Sequence, residues 1–399
     1  MARGYDVAVL GAGLVGCAAA YELARRGKRV IVVDQWEINR GASGRNAGSL
    51  HFQIEPRMLN LLHEQPERLS QLITVNLQAI EDWRQLSRSV GKDAEVVMSG
   101  GVMVAESEAD FTVLTEKSQL EIAAGLRVEL IEGREVRRIA PYLTSDIRYA
   151  AFCGDEGHSN PRLITPAFAR AATELGCQFS LQTRVMSLEP IGQGWRLKAR
   201  PTSQSAASPD SISIDAEMVL MAAGAWAREI LEPLGFSTPL TAHGLQMNVT
   251  QRTRSFMTHL VQHVGQQLSI KQLESGNVLI GGGWPATLSA QLLGSDPAVN
   301  IIESSLYGNM EVALRVVPGI SSLDIIRSWT GISSVAPDHL PVLGPVQSLP
   351  GIFIAAGGSS FTLGPTYARL IAELMSAGST TLPLELYRPE RFAVARQIS

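Results

Sequence analysis

Three glycines spaced as Gly11-x-Gly13-x-x-Gly16, with Asp34 eighteen residues past the last, imply chemistry most directly. At such a spacing the first glycine allows a sharp turn. The second lets a phosphate approach the main chain, and the third lets a helix lie close on its strand. A helix beginning there, with Leu14 and Val15 in its first turn, offers unpaired N–H groups and partial positive charge to a pyrophosphate. Asp34, with Gln35 beside it, is placed to accept hydrogen bonds from ribose hydroxyls, and its charge disfavours a 2′-phosphate. The elements this requires are legible: a strand over Asp6–Leu10, a helix over Leu14–Arg26 ended by Gly27, and a strand over Arg29–Val33. Together they predict a dinucleotide site but do not separate a nicotinamide from a flavin.

More glycine-rich turns follow. Gly41-Ala42-Ser43-Gly44-Arg45-Asn46-Ala47-Gly48-Ser49-Leu50-His51 is a polar loop just past Asp34. The buried strand Met218–Ala222 runs into Ala223-Gly224-Ala225-Trp226. Near the C-terminus, Gly357-Gly358-Ser359-Ser360-Phe361-Thr362 separates an apolar strand, Gly351–Ala356, from a helix over Pro365–Ala377 that Gly378 closes. Ile325–Ile332 reads as a strand carrying Arg327, Trp329 and Gly331, followed by Asp338-x-x-Pro341-x-x-Gly344.

From residue 5 to about 377 these motifs resemble the D-amino acid oxidase (DAO) family of FAD-dependent amine oxidoreductases. The resemblance implies an α/β fold: a Rossmann-like FAD-binding domain with a discontinuous α+β substrate domain, related to the glutathione reductase arrangement. It divides the chain into 1–80, 150–235 and 325–399 for FAD and 81–149 and 236–324 for substrate. It gives Ser43, Arg45, Asn46, Ala47, Gly48, Ser49 and Leu50 to the flavin loop and Val185 to the adenine edge. Ala223, Gly224 and Trp226 close the phosphate end. Gly331, Gly357, Gly358, Ser359, Ser360, Phe361 and Thr362 lie against the ring, where the last helix meets the negative charge of reduced flavin. The implied reaction delivers a hydride from the carbon beside an amine nitrogen to flavin N5, leaving an imine for water to hydrolyse. Such chemistry needs no acid–base pair, so His51, His243 and Arg327 stand as candidates only. Arg327 is the carboxylate clamp, because a guanidinium matches a carboxylate in two parallel hydrogen bonds. Trp284, after Gly281-Gly282-Gly283, and Trp329 are candidates for the substrate wall.

Within the family the glycine-Trp-Pro element and the Arg-Ser-Trp-Thr-Gly strand look similar to catalytic β chains of multisubunit opine oxidases, hydrogen cyanide synthase and proline or D-hydroxyproline dehydrogenases. That likeness implies non-covalent FAD, FMN at a subunit interface, and electron-accepting partners carrying an iron–sulfur cluster. His158 lies near a position where multisubunit sarcosine oxidases hold FMN covalently, but Asn160-Pro161 departs from that pattern. The alternative is a stand-alone glycine or D-amino acid oxidase that makes peroxide. An NAD-dependent dehydrogenase and a non-catalytic flavoprotein remain as further classes.

Composition agrees with a two-domain enzyme. The chain has 399 residues, 45% hydrophobic and 18% charged, with a net charge of −4. That balance speaks against nucleic acid as a main partner. Cys17, Cys153 and Cys177 lack paired spacing, so no metal site or disulfide framework is expected. Leu14-Val15-Gly16-Cys17 has the look of a lipoprotein box, but cleavage there would destroy the glycine turn, so no signal peptide is read. With no apolar run of membrane-spanning length, the expected location is the cytoplasm, or the inner membrane face by peripheral association.

Overall fold

The computed structural model describes residues 4–59, 66–202, 212–289 and 299–392. Two eight-stranded sheets organise them. In the first, the order is Pro341–Pro345, Ile352–Gly357, Ile212–Met221, Tyr5–Leu10, Val30–Val33 and Gln178–Ser180, with the hairpin Thr183–Ile191 and Gly194–Pro201 joined to Ile212–Met221. Its central pairings are parallel. Val30–Val33 is a continuous β-branched run because both of its faces are covered. Val7, Val9, Val30 and Val32 enter one core, while Ala8, Leu10, Ile31 and Val33 enter the other, the alternation a pleated strand imposes.

The helix Leu14–Arg25 packs between the helices Gly364–Ala377 and Pro161–Glu174. Its buried face is made of Gly16, Cys17, Ala18, Ala19 and Ala20, small residues that let three helices crowd together. Gly11 has φ +113°, and a Cβ at Gly16 would fall 1.9 Å from the Gly11 carbonyl oxygen. Both glycines are therefore required by the turn.

The second sheet runs Ile325–Val335, Thr241–Arg252, Asn277–Gly281, Ser269–Gln272, Leu260–His263, Gly101–Ala105, Tyr149–Cys153 and Val128–Glu132. This corrects the expected division in two places. Ile325–Val335 pairs antiparallel with Thr241–Arg252 along almost its whole length, so it belongs to the substrate sheet. Tyr149–Cys153 lies there too. The boundary expected at 80/81 falls inside the unbroken helix Pro66–Leu86. Trp83 of that helix donates to the Thr362 carbonyl at 2.6 Å, and Thr366 donates to Asp82 at 2.7 Å. Gln178–Ser180 and Thr183–Ile191 are separated by a break at Gln182, which has φ +50°. Ile212–Met221 extends well before the strand read at Met218–Ala222: its first half pairs with the hairpin and its second with Tyr5–Leu10. The polar stretch 201–210, whose composition reads as a surface loop, lies mostly outside the described residues. Among the described residues, no helix is long and apolar enough to cross a membrane.

The turn geometry has a direct consequence. Gly16→Ala must push Gly11 away, an overpacking cost of about 1–3 kcal/mol. Gly41→Ala, at φ −80° with nothing within 4 Å, is the control. Thermal denaturation should show a lowered midpoint for the first and an unchanged one for the second.

Candidate functional site

A cleft of about 400 Å³ opens over the C-terminal ends of Tyr5–Leu10, Val30–Val33 and Ile212–Met221, the usual ligand position in an open α/β sheet. Gly11, Gly13, Asp34, Gln35, Ser43, Val185, Ala223, Gly224 and Trp226 line it. Asp34 accepts from the Ala12 N–H at 2.6 Å and the Trp36 N–H at 2.8 Å. Burial raises its carboxyl above the ordinary range while these donors draw it down. Each oxygen keeps a second lone pair for a ligand. Ser43 Oγ accepts the Leu14 N–H at 2.9 Å, tying the polar loop to the helix N-terminus. Gln35 Oε1 accepts from Arg184 at 3.0 Å. At one end Trp36 and Trp226 meet edge to face, centroids 5.1 Å apart. Trp36, Thr183 and Ser334 also line the cleft and were not read from sequence. Val15 and Gly16 do not line it; they set the helix in place.

The loop past Asp34 folds on itself. Ala42–Arg45 is a single helical turn. Asn46 donates to the Ala42 and Ser43 carbonyls and accepts from Gly48 N–H at 2.6 Å. Gly48 has φ +73°, and a Cβ there would fall 2.0 Å from the Ser159 oxygen. Ser49–Leu50 then pairs antiparallel with Gly157–His158. The C-terminal turn arrives at the same place. Thr362 Oγ1 donates to the Ser49 carbonyl at 3.2 Å and accepts from the His51 N–H at 3.3 Å. Phe361 packs on Trp83 at 5.9 Å. Ser360 Oγ bonds the Gly357 carbonyl, and Gly358 is pressed on the His339 carbonyl, where a Cβ would fall 2.0 Å away. Glycine turns from opposite ends of the chain thus converge.

The second sheet supplies the facing wall. Trp329 Nε1 donates to the Arg45 carbonyl at 2.8 Å, and Gly331 leaves room for the Arg45 side chain. Lys271, 2% exposed, donates to the Ala47 carbonyl and to Ser49 Oγ at 3.1 Å. It was not among the sequence candidates; a lone lysine in a buried strand, Ser-Ile-Lys-Gln, is the signal that could have found it. His51 lies beside Ser269 Oγ at 3.3 Å, with Nδ1 unpartnered. Burial, and then the Lys271 charge, lower both His51 and His158 to about 3. Both are neutral at physiological pH, so His51 is a hydrogen-bonding group and a poor base.

The remaining candidates are dispersed. Arg327 and Trp329 line a separate cavity of about 520 Å³ with Arg40, Arg45 and Arg162, and among the described residues no acid lines it. The turn Ala42–Arg45 is the wall between this cavity and the cleft. His51 instead lines a small pocket of about 30 Å³ with Asn76, His339 and Tyr367. Arg327 and His51 therefore do not share a cavity. His243 is exposed at the start of its strand, bonded to Thr241 at 3.0 Å. Trp284 donates to the Gln267 carbonyl at 2.7 Å and packs on Gly308 of the helix Glu303–Val316. Gly282 is approached by the Leu268 main chain, where a Cβ would fall 2.5 Å from its nitrogen. That contact accounts for Gly282, while a Cβ at Gly281 would meet the Met247 side chain and Gly283 has φ +86°.

Lys271→Met removes two buried hydrogen bonds from the loop and leaves the Ala47 carbonyl without that partner, a cost of about 1–3 kcal/mol. Amide exchange across residues 46–50 should accelerate roughly tenfold or more, and the pKa values of His51 and His158 should rise.

Residues 6–374 match the family described as FAD dependent oxidoreductase (DAO). The chain is similar to a subunit of the opine oxidase of Rhizobium meliloti, 24% identical over 97% of both chains. It is similar to glycine oxidase of Bacillus licheniformis, 26% identical over 98% of both. Among solved structures, L-proline dehydrogenase from P. horikoshii superposes with a TM-score of 0.85, at 23% identity over 99% of both chains. A match covering nearly the whole chain settles the family: this protein belongs to the DAO family of FAD-dependent oxidoreductases.

Proposed function

We propose that the protein oxidises the C–N bond of an amino acid or secondary amine of opine type, as the catalytic subunit of a multisubunit dehydrogenase. The observation that carries this reading is the meeting of Ser49 and His51 with Thr362, on the same loop whose Ser43 lines the cleft at Asp34. The cleft suits FAD: its volume falls within the roughly 300–1,000 Å³ of small-molecule sites, and its glycines clear a path to the main chain. Asp34, Gly11, Gly13, Leu14, Ser43, Val185, Ala223, Gly224 and Trp226 would hold the adenosine and phosphates. Residues 45–50, Gly331 and 357–362 would hold the ring. Bound FAD supplies a two-electron acceptor for hydride from the carbon beside nitrogen.

The protein's own share is binding, orientation and charge. The N-terminus of the helix Gly364–Ala377 begins next to Thr362 and brings partial positive charge to that side of the site. Lys271 adds a hydrogen-bond donor from the second sheet, its ammonium held well below the ordinary lysine range by burial. Arg327, in a cavity lined by several arginines, is the proposed carboxylate clamp. Likeness to one chain of an opine oxidase over 97% of both proteins supports both the substrate class and a need for partner subunits. Further proposals are FMN at a subunit interface, an iron–sulfur cluster on a partner, and a cytoplasmic location. The glycine oxidase relative supports a second reading, a stand-alone oxidase releasing peroxide.

The test is anaerobic loss of the flavin's visible absorbance across a panel of opines, secondary amino acids and D-amino acids. Reduction by one of them is expected, and no reduction by any would end the proposal. Turnover with a dye but little peroxide supports the dehydrogenase; rapid peroxide release supports the oxidase. Arg327→Met should raise KM for the reducing substrate about 10–100-fold with kcat little changed.

A further inference from the structure

Just past the cofactor loop, Phe52, Gln53 and Ile54 are at most 3% exposed and belong to neither sheet. Their main-chain groups are met by buried side chains brought from elsewhere. Glu156 Oε1 accepts the Phe52 N–H at 2.7 Å and the Gln53 N–H at 2.9 Å. Its Oε2 accepts from the Gln53 side-chain amide at 3.1 Å. Glu121 accepts the Ile54 N–H, and Asn76 donates to the Phe52 carbonyl at 2.7 Å. Lys117 closes the set, bonded to Glu121 at 2.7 Å and to Gln53 Oε1 at 3.2 Å. Glu156, Glu121 and Lys117 are each 0% exposed. Gly101 makes the room: a Cβ there would fall 1.9 Å from Glu156 Oε2.

We propose that Glu156 is a positioning residue which, through the Phe52–Gln53 main chain, sets His51 between Ser269 and Thr362, and that a proton gained by Glu156 resets this segment. The hydrogen bonds explain the coupling. With a proton on Oε2, the Gln53 amide loses its acceptor. Turning the amide over restores a bond to Glu156 but sets its NH₂ toward Lys117. Either way Gln53 shifts, two residues from His51.

The groups facing Glu156 are few. Among the described residues, Lys117 and Glu121 come from the helix Glu108–Ala123, and Gln53 from the segment itself. Cys153 and Asp155 come from its own turn; Cys153 is kept neutral by burial, and Asp155 is paired with Arg84 and Arg127. Burial pushes Glu156 up to about 7, against the Gln53 and Phe52 donors and Lys117. Because the folded value lies above the unfolded one, its stabilising contribution is full below the ordinary carboxyl range and is lost as pH rises through about 7.

The test is NMR of the flavin-loaded full chain with carbon-labelled histidine, the His51 signal being assigned by its loss in His51→Gln. His51 does not itself ionise near neutrality. Its signal should nevertheless move with a midpoint near 7, and Glu156→Gln should abolish that movement. Glu156→Asp, which retains a carboxylate on a shorter arm, should shift the midpoint. A wild-type signal that does not move, a movement that survives Glu156→Gln, or an unchanged midpoint in Glu156→Asp would each overturn the proposal. Since the readout needs no substrate, failure of the amine reaction would leave this result standing on its own.

Discussion

The structure depends on keeping a polar, irregular stretch of main chain dry. From Gly48 to Ile54 the chain passes between the two sheets at a depth where water cannot satisfy its N–H and carbonyl groups. An unmet buried group costs on the order of 1–3 kcal/mol, so each must be met by the protein. Thr362, Glu156, Glu121 and Asn76 meet several of them, and Lys271 holds the Ala47 carbonyl just before the stretch. These residues come from the last helix's approach, the substrate sheet and both helices packed on it. The N-terminal loop therefore cannot adopt its shape until distant parts of the chain have folded around it.

That constraint also sets the electrostatics. Lys271 is buried against a carbonyl and a hydroxyl, without a carboxylate among its hydrogen-bond partners. Its charge reaches His51 and His158 and adds to their desolvation, so both stay neutral. On the far side of the turn Ala42–Arg45, the arginine-lined cavity adds more positive charge. Burial holds Lys271 itself well below the ordinary lysine range, so the arginine-lined cavity is the more strongly cationic side, suited to a carboxylate.

The two sheets are coupled more closely than a two-domain description suggests. Ile325–Val335 belongs to the substrate sheet, yet its Trp329 and Gly331 hold the cofactor loop, and Ile332 and Ser334 line the nucleotide cleft. The helix Pro66–Leu86 carries Asn76 to Phe52, and Asp82 and Trp83 to the C-terminal turn. Such shared elements resist independent motion of the two halves.

Local signals in the sequence determined the first fold unit. The glycine turn and Asp34 need only neighbours along the chain, and β-branched runs show where the parallel strands lie. The final helix and its Gly378 stop at φ +74° are local for the same reason. Resemblance located the converging glycine turns, but it could not say what holds them. Sheet membership of Ile325–Val335 depends on a partner strand roughly 80 residues away, which periodicity does not encode. The roles of Lys271, Glu156 and Gly101 were hidden because a lysine, a glutamate and a glycine read alike whether solvated or buried. Only the tertiary structure decided their burial, and burial is what makes the hydrogen bonds of such side chains to the loop costly to lose.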